Sequence, residues 1–182
     1  MKRVVWTFGL IAGAVLAVMM IVNASLHDRI GFERAEIVGY TSMVLAFLMV
    51  FFGIKSYRDN IYGGTISFGQ AVKIGLLITL VASACYIVTW EVIYYWFQPD
   101  FAEKYAEYVL EKARVEGATE QELAAQAAEM ARFREMYQNP LINAAFTFLE
   151  VFPIGLVITL ISAAILRRGA RPTAVNALRQ GA

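Results

Sequence analysis

The sequence is poor in the residues that build catalytic and metal sites. It contains one cysteine, Cys85, which excludes an internal disulfide bond, and one histidine, His27, which leaves no cluster with zinc-ligand spacing. It also lacks the short motifs of phosphate-binding loops, zinc metalloproteases, esterases and thiol oxidoreductases. Because these signatures are missing, we expect no enzymatic activity, no bound metal and no cofactor.

Charged residues are scarce as well. They make up 17% of the 182 residues, and the 16 basic and 15 acidic side chains nearly cancel. This balance provides no global attraction for nucleic acid, which is therefore not an expected partner. Hydrophobic residues make up 59% of the chain, against roughly 45–50% in soluble domains. This excess predicts an integral membrane protein whose main partner is the lipid bilayer.

Four apolar stretches are long enough to cross a bilayer as helices. The first contains 23 consecutive uncharged residues, which as a helix measure about 34 Å and exceed the ~30 Å hydrocarbon core. The third and fourth stretches each contain one acidic residue within an otherwise apolar run. We predict an all-α polytopic membrane protein with four transmembrane helices, at about 4–26, 37–54, 70–97 and 141–166.

The first stretch has a second interpretation, as a secretory signal. Lys2 and Arg3 precede it, and the sequence 22–24 resembles a cleavage site with small residues. The apolar run is longer than the 7–15 residues typical of a signal, and Asn23 lies inside the cleavage site. These two features favour a retained first span, since cleavage would leave only three.

Residues 98–140 are predicted to form a helical hairpin outside the membrane. Apolar residues from Phe101 to Val115 recur mainly at helical spacing, and Gly117 is suited to end that helix. The sequence 119–122 matches a capping box, in which Thr119 and Glu122 bind the free amides at a helix start. Pro140 then separates the second hairpin helix from the last span.

Basic residues near the span ends predict the orientation. They are concentrated at the two termini and between the second and third spans, whereas those of 98–140 lie away from its ends and accompany nine acidic residues. Because basic residues close to span ends stay on the cytoplasmic side, both termini and the tail 167–182 are predicted to be cytoplasmic. The hairpin 98–140 is predicted to be extracytoplasmic.

Small residues recur every four positions in three of the spans. The first span contains Gly9 and Gly13, the third contains Gly75, and the fourth contains Gly155, each in such a stripe. In lipid, close approach of helix backbones through small residues is a main source of helix association. The stripes favour packing inside the bundle, and a homodimer face is the alternative.

The candidate polar site consists of Glu36, Glu91 and Glu150. Each lies 17 to 19 residues from the basic residue at the opposite end of its span, which predicts three carboxylates at similar height. In one interpretation they lie at the membrane interface or pair with Arg29 or Arg34. In the other, Glu91 and Glu150 lie in a shielded vestibule and bind a cation or share a proton.

Five segments carry a resemblance to a known family. The chain resembles the bacterial membrane family catalogued as domain of unknown function 4199, and the similarity extends over nearly its whole length. The resemblance implies a four-span protein of the bacterial inner membrane with a large loop between spans three and four. It implies no reaction, substrate, cofactor or active-site residue. The segments are GIKSYRD at 53–59, ISFGQA at 66–71, PDF at 99–101, EVFPIGL at 150–156 and ISAAILRR at 161–168.

These observations lead to two functional hypotheses. The first is a non-enzymatic structural, accessory or interaction protein, with a second copy or another membrane protein as candidate partner. The alternative is a small ion- or proton-coupled transporter that uses Glu91 and Glu150. The chain shows no inverted repeat or paired broken helices, which are common in secondary transporters, and this favours the first hypothesis.

Overall fold

The structure, a computed structural model, describes residues 1–61 and 63–167, without the side chains of His27 and Asp28. This range contains six α-helices and no strand. The predicted tail lies outside the described residues except for Arg167. The helices are α1 Lys2–Ile30, α2 Phe32–Asn60, α3 Phe68–Trp96, α4 Phe101–Val115, α5 Glu120–Tyr137 and α6 Pro140–Leu166.

Four of these helices, α1, α2, α3 and α6, are long and apolar enough to cross a membrane. The predicted all-α fold, with four such helices and a helical hairpin after the third, is confirmed. The helices extend beyond most of the apolar runs. For example, α2 includes Glu33, Glu36 and Lys55, because charged side chains are compatible with helix and lie readily at a membrane interface.

The four long helices form a bundle in which α1 and α6 do not lie side by side. Each of them packs against both α2 and α3. The core between them consists mainly of aliphatic and small side chains, and its buried aromatic residues are Phe47 and Tyr57. Fully buried members of this core include Leu16, Phe47, Ile54, Ile78 and Val151.

A close contact in the bundle joins α3 and α6 through a reciprocal pair of glycines and threonines. A Cβ added to Gly75 would lie 2.6 Å from Cγ2 of Thr159, and one added to Gly155 would lie 2.4 Å from Cγ2 of Thr79. The two threonine hydroxyls lie 3.1 Å apart and are hydrogen-bonded. The equal four-residue spacing on antiparallel helices places each glycine opposite a threonine.

The glycines of α1 pack in the same manner against α3. A Cβ on Gly9 would lie 2.7 Å from Cβ of Val81, and one on Gly13 would lie 2.6 Å from Cβ of Cys85. All four predicted packing glycines therefore face the inside of this bundle. Contact between copies of the chain would have to use other surfaces.

The hairpin of α4 and α5 lies beyond one end of the bundle. Its turn contains Gly117 at a φ of +87°, a conformation that favours glycine. Thr119 caps α5 in a capping box with Glu122, and Asn139 caps α6, which begins at Pro140. We refer to the bundle end covered by α4 and α5 as the hairpin end and to the opposite end as the termini end.

Candidate functional site

A cavity of about 600 Å³ lies at the hairpin end, between the four long helices and the hairpin. All six helices contribute to its wall, so it exists only in the assembled fold. We call it the capped cavity. Ten of its wall residues are aromatic: Phe32, Tyr40, Tyr86, Trp90, Phe101, Tyr105, Tyr108, Phe133, Tyr137 and Phe146.

Ring contacts between these residues attach the hairpin to the bundle. Phe32, the first residue of α2, stacks on Tyr108 of α4 with ring centroids 5.0 Å apart. Trp90 of α3 meets Phe101 edge to face at 4.8 Å. Phe133 of α5 lies 5.8 Å from Phe146 of α6. Because the contacts reach three different spans, the hairpin is held over the cavity from several sides.

Three hydrogen bonds strengthen this attachment. Trp90 Nε1 donates to Tyr137 Oη at 2.9 Å, and Tyr95 Oη donates to the Gln138 carbonyl at 2.9 Å. Gln98 Nε2 donates to the carbonyl of Ala24 in α1 at 3.0 Å. Burial raises the pKa of Tyr137, so its hydroxyl remains neutral at ordinary pH.

The cavity brings Glu36 of α2 and Glu150 of α6 together. Both residues belong to its wall. Among the described residues, neither forms an ion pair, and neither Arg29 nor Arg34 pairs with any of the three predicted glutamates. A cation bound between two carboxylates, or a proton shared by them, reduces the repulsion between their charges.

Glu91, the third predicted residue, does not belong to the cavity wall. Its neighbour Trp90 faces the cavity, and successive residues of a helix point about 100° apart. Its carboxylate oxygen Oε1 is buried without a hydrogen-bond partner. The structure therefore groups Glu150 with Glu36 and not with Glu91.

Two amide oxygens of the wall lack a hydrogen-bond partner. Asn23 Nδ2 donates to the Ala35 carbonyl at 2.9 Å, whereas Asn23 Oδ1 and Gln126 Oε1 are buried without a partner. Among the described residues of the wall, Lys112 is the only basic one, and the acidic Glu116 lies one helical turn away. Within the described part of the chain, no group of three or more His, Cys, Asp or Glu side chains is placed to hold a metal ion.

Most of the aromatic wall was not identified from the sequence. On α2, Phe32, Glu36, Gly39 and Tyr40 all line the cavity. Their spacing of four, seven and eight residues is that of one helix face, so the signal was present. This spacing shows that the residues share one face of α2, but what that face contacts depends on which helices are its neighbours.

Comparison with known proteins yields one match. A sequence model of the family described as "Protein of unknown function (DUF4199)" matches residues 7–168. A search of curated proteins and a search of solved structures found no match. The family match covers the hairpin and nearly all of the four long helices, and it confirms the resemblance found in the sequence.

Proposed function

The chain belongs to the DUF4199 family, and we propose that it is a non-enzymatic membrane protein that binds a cation in the capped cavity. The observation that carries this proposal is the placement of Glu36 and Glu150 in one cavity, where neither forms an ion pair among the described residues. A bound cation supplies the missing counter-charge, and the aromatic faces around it add cation–π attraction.

The charge of the hairpin supports the same function. Residues 98–140 contain nine acidic and five basic side chains, a net charge of −4. A negative segment next to the cavity raises the local concentration of cations and repels anions. Cation attraction and cation binding then occur on the same side of the protein.

The wall offers little support for catalysis. Its described residues include no serine, cysteine or histidine. The hydroxyl of its one threonine, Thr147, donates to the backbone carbonyl of Asn143 at 3.0 Å. Nucleophilic catalysis needs an activated nucleophile with a base in hydrogen-bond reach, and binding without reaction fits this set of side chains better.

Protection from chemical modification tests cation binding directly. Protein in lipid nanodiscs is treated with a hydrophobic carbodiimide, with and without sodium, potassium, calcium, tetramethylammonium or phenethylammonium, and modification is measured residue by residue. At least one cation is expected to slow modification of Glu36 and Glu150 and to leave Glu91, outside the wall, unchanged. If no cation slows the modification of Glu36 and Glu150 more than that of Glu91, the proposal is refuted.

Transport is a second candidate function. Pro153 lies inside α6 three residues after Glu150 and removes the amide that would bond to the carbonyl of Leu149. A weak point in the helix beside the site supports movement of Glu150 during transport. Cation flux into liposomes that is lost in Glu150→Gln and kept in Glu91→Gln would support this function. Flux equal to that of protein-free liposomes would leave a binding or accessory role.

We further propose that the protein lies in the bacterial inner membrane with the hairpin outside and both termini in the cytoplasm. The basic residues Lys55, Lys73 and Arg167 at the termini end support this orientation. Single cysteines at Glu107 and at Lys55, in a Cys85→Ala background, test it with a membrane-impermeant thiol reagent applied to whole cells. Labelling at Glu107→Cys alone is expected, and labelling at Lys55→Cys alone would reverse the orientation.

A further inference from the structure

The size of the capped cavity indicates an organic ligand. At about 600 Å³ it lies within the range of roughly 300–1,000 Å³ typical of small-molecule sites. Glu36 and Glu150 provide two carboxylates, and the described residues provide no third metal-ligating side chain grouped with them. An inorganic ion prefers more oxygen ligands than this in a much smaller space.

The wall of the cavity matches a ligand with an apolar body. Tyr86 and Trp90 of α3 face the cavity from the bundle, and Tyr105 and Phe133 face it from the hairpin. Aromatic faces pack against an alkyl or aryl group and also attract a positive charge attached to it. The ligand therefore combines a cationic group with an apolar one.

The hydrogen-bonding groups of the wall narrow the kind of cation. Asn23, Gln98 and Trp90 each donate one side-chain N–H within the protein, to Ala35, Ala24 and Tyr137. The carboxylates of Glu36, Glu116 and Glu150 and the unpartnered oxygens of Asn23 and Gln126 are hydrogen-bond acceptors in the same wall. Buried acceptors without partners are costly, and a ligand with N–H groups relieves that cost.

From these three features, and resting on the proposed function, we infer that the ligand of the capped cavity is a primary ammonium compound with an aromatic or alkyl body. A primary ammonium offers three N–H donors to the carboxylates and amide oxygens. A quaternary ammonium has the same charge and no donor, and a neutral alcohol has a donor and no charge. We therefore expect the cavity to bind a primary ammonium, a quaternary ammonium and a neutral alcohol of similar size with different affinities.

Tryptophan fluorescence measures this discrimination in the folded protein. Trp6→Phe and Trp96→Phe, both at exposed positions, leave Trp90 as the single reporter in the wall. The probes are phenethylammonium, its N,N,N-trimethyl derivative and 2-phenylethanol. We expect the trimethyl derivative and the alcohol each to bind at least about tenfold more weakly than phenethylammonium, which is the effect of losing one charged hydrogen bond or more.

Matched variants separate the contribution of the two carboxylates to binding from that of the Gln126 amide oxygen. Glu36→Gln and Glu150→Gln are expected to weaken phenethylammonium binding at least about tenfold, whereas Glu91→Gln, outside the wall, leaves it unchanged. Gln126→Leu removes one acceptor on the hairpin and is expected to narrow the preference for phenethylammonium over its trimethyl derivative. Its binding of the trimethyl derivative should remain as in the parent, which also shows that the cavity is intact.

The outcomes distinguish this inference from the proposed function. Equal affinity for the primary and the quaternary ammonium would overturn the primary-amine inference. Protection of Glu36 and Glu150 by an inorganic cation alone would overturn it as well, while cation binding at the cavity would stand. Absence of protection by every cation would remove both proposals.

Discussion

In the half of the bundle nearer the termini, α3 and α6 approach so closely that a Cβ on Gly155 would lie 2.4 Å from Thr79. At the hairpin end the same two helices border a cavity of about 600 Å³. The facing residues explain the difference. Glycine and threonine line the close contact, whereas Tyr86, Trp90 and Phe146 line the cavity. Small residues allow two helix backbones to approach closely, whereas large aromatic side chains surround an open space at the hairpin end.

The two halves also differ in their polar groups. The close contact satisfies its hydroxyls internally, through the hydrogen bond between Thr79 and Thr159. The cavity leaves Glu36 and Glu150 without partners among the described residues. A tightly packed half can hold the helices in place while the other half remains open, and the following changes test that division.

The largest effect is expected from adding one methyl group at the close contact. Gly155→Ala places a Cβ within 2.4 Å of Thr79 and 2.9 Å of Phe47, so the helices must separate. We expect the free energy of unfolding to fall by about 1–3 kcal/mol, the usual cost of overpacking. Gly39→Ala is the matched control, because its Cβ meets only Asn23 Nδ2 at 3.6 Å at the hairpin end.

Unfolding by denaturing detergent, followed by circular dichroism in mixed micelles, measures both glycine variants. The control should be unchanged or more stable by up to about 1 kcal/mol, since alanine favours helix over glycine. Equal destabilisation by the two substitutions would show that the halves of the bundle are packed alike.

The next effect concerns the carboxylates of the open half. Glu150→Gln removes the charge of one of the carboxylates in the cavity wall, which also contains Glu36. Without added cation we expect the variant to be more stable than the parent by about 0.5–2 kcal/mol, as is common when a functional site is neutralised. Added phenethylammonium should raise the melting temperature of the parent and not of the variant. A variant less stable than the parent without ligand would instead assign Glu150 a structural role.

The closely packed half was far easier to predict from the sequence than the open half. Small residues every four positions, as at Gly75 and Gly155, indicate a packing face from one helix alone, and the capping box at Thr119 is equally local. The positions of the four long helices and of the hairpin were predicted from such local patterns. They require no knowledge of which helices are neighbours.

Whether a residue lines the cavity depends on the direction in which its side chain leaves the helix as well as on its level along the bundle. Counting residues placed Glu36, Glu91 and Glu150 at one level, and two of the three do share a site. The count contains no information about the angle around each helix, which separates Glu91 from Trp90 by about 100°. That angle matters only relative to neighbouring helices, and the order of packing in the bundle cannot be read from one sequence.

A smaller effect is expected where the hairpin is attached to the bundle. Tyr137→Phe removes the oxygen that accepts the Trp90 Nε1 hydrogen bond and leaves that donor without its partner. We expect a loss of about 0.5–1.5 kcal/mol, concentrated in the hairpin. Amide hydrogen exchange should quicken in α4 and α5 and remain slow in the close contact of α3 and α6. Faster exchange throughout the protein would mean that the hairpin and the bundle unfold as one unit.

The smallest effect is a pH dependence confined to the start of α5, beyond the bundle. Glu122 accepts hydrogen bonds from the backbone amide and the hydroxyl of Thr119, each at 2.8 Å, and these bonds lower the pKa of Glu122 from its ordinary value of 4.5. Because the folded pKa is the lower one, this stabilisation is present above pH 4.5 and is lost as the pH falls through the folded pKa.

We therefore expect amide exchange of residues 119–123, corrected for its intrinsic pH dependence, to quicken between about pH 5 and about pH 3. Exchange in the close contact of α3 and α6 should not respond in the same way. Glu122→Gln keeps an acceptor for the capping box but does not titrate, so its profile should be flat. The lysine at position 104 lowers the pKa of Asp100, but Asp100 lies at the start of α4, so its titration should leave residues 119–123 unaffected. Identical profiles for the parent and Glu122→Gln would assign the pH response to another group.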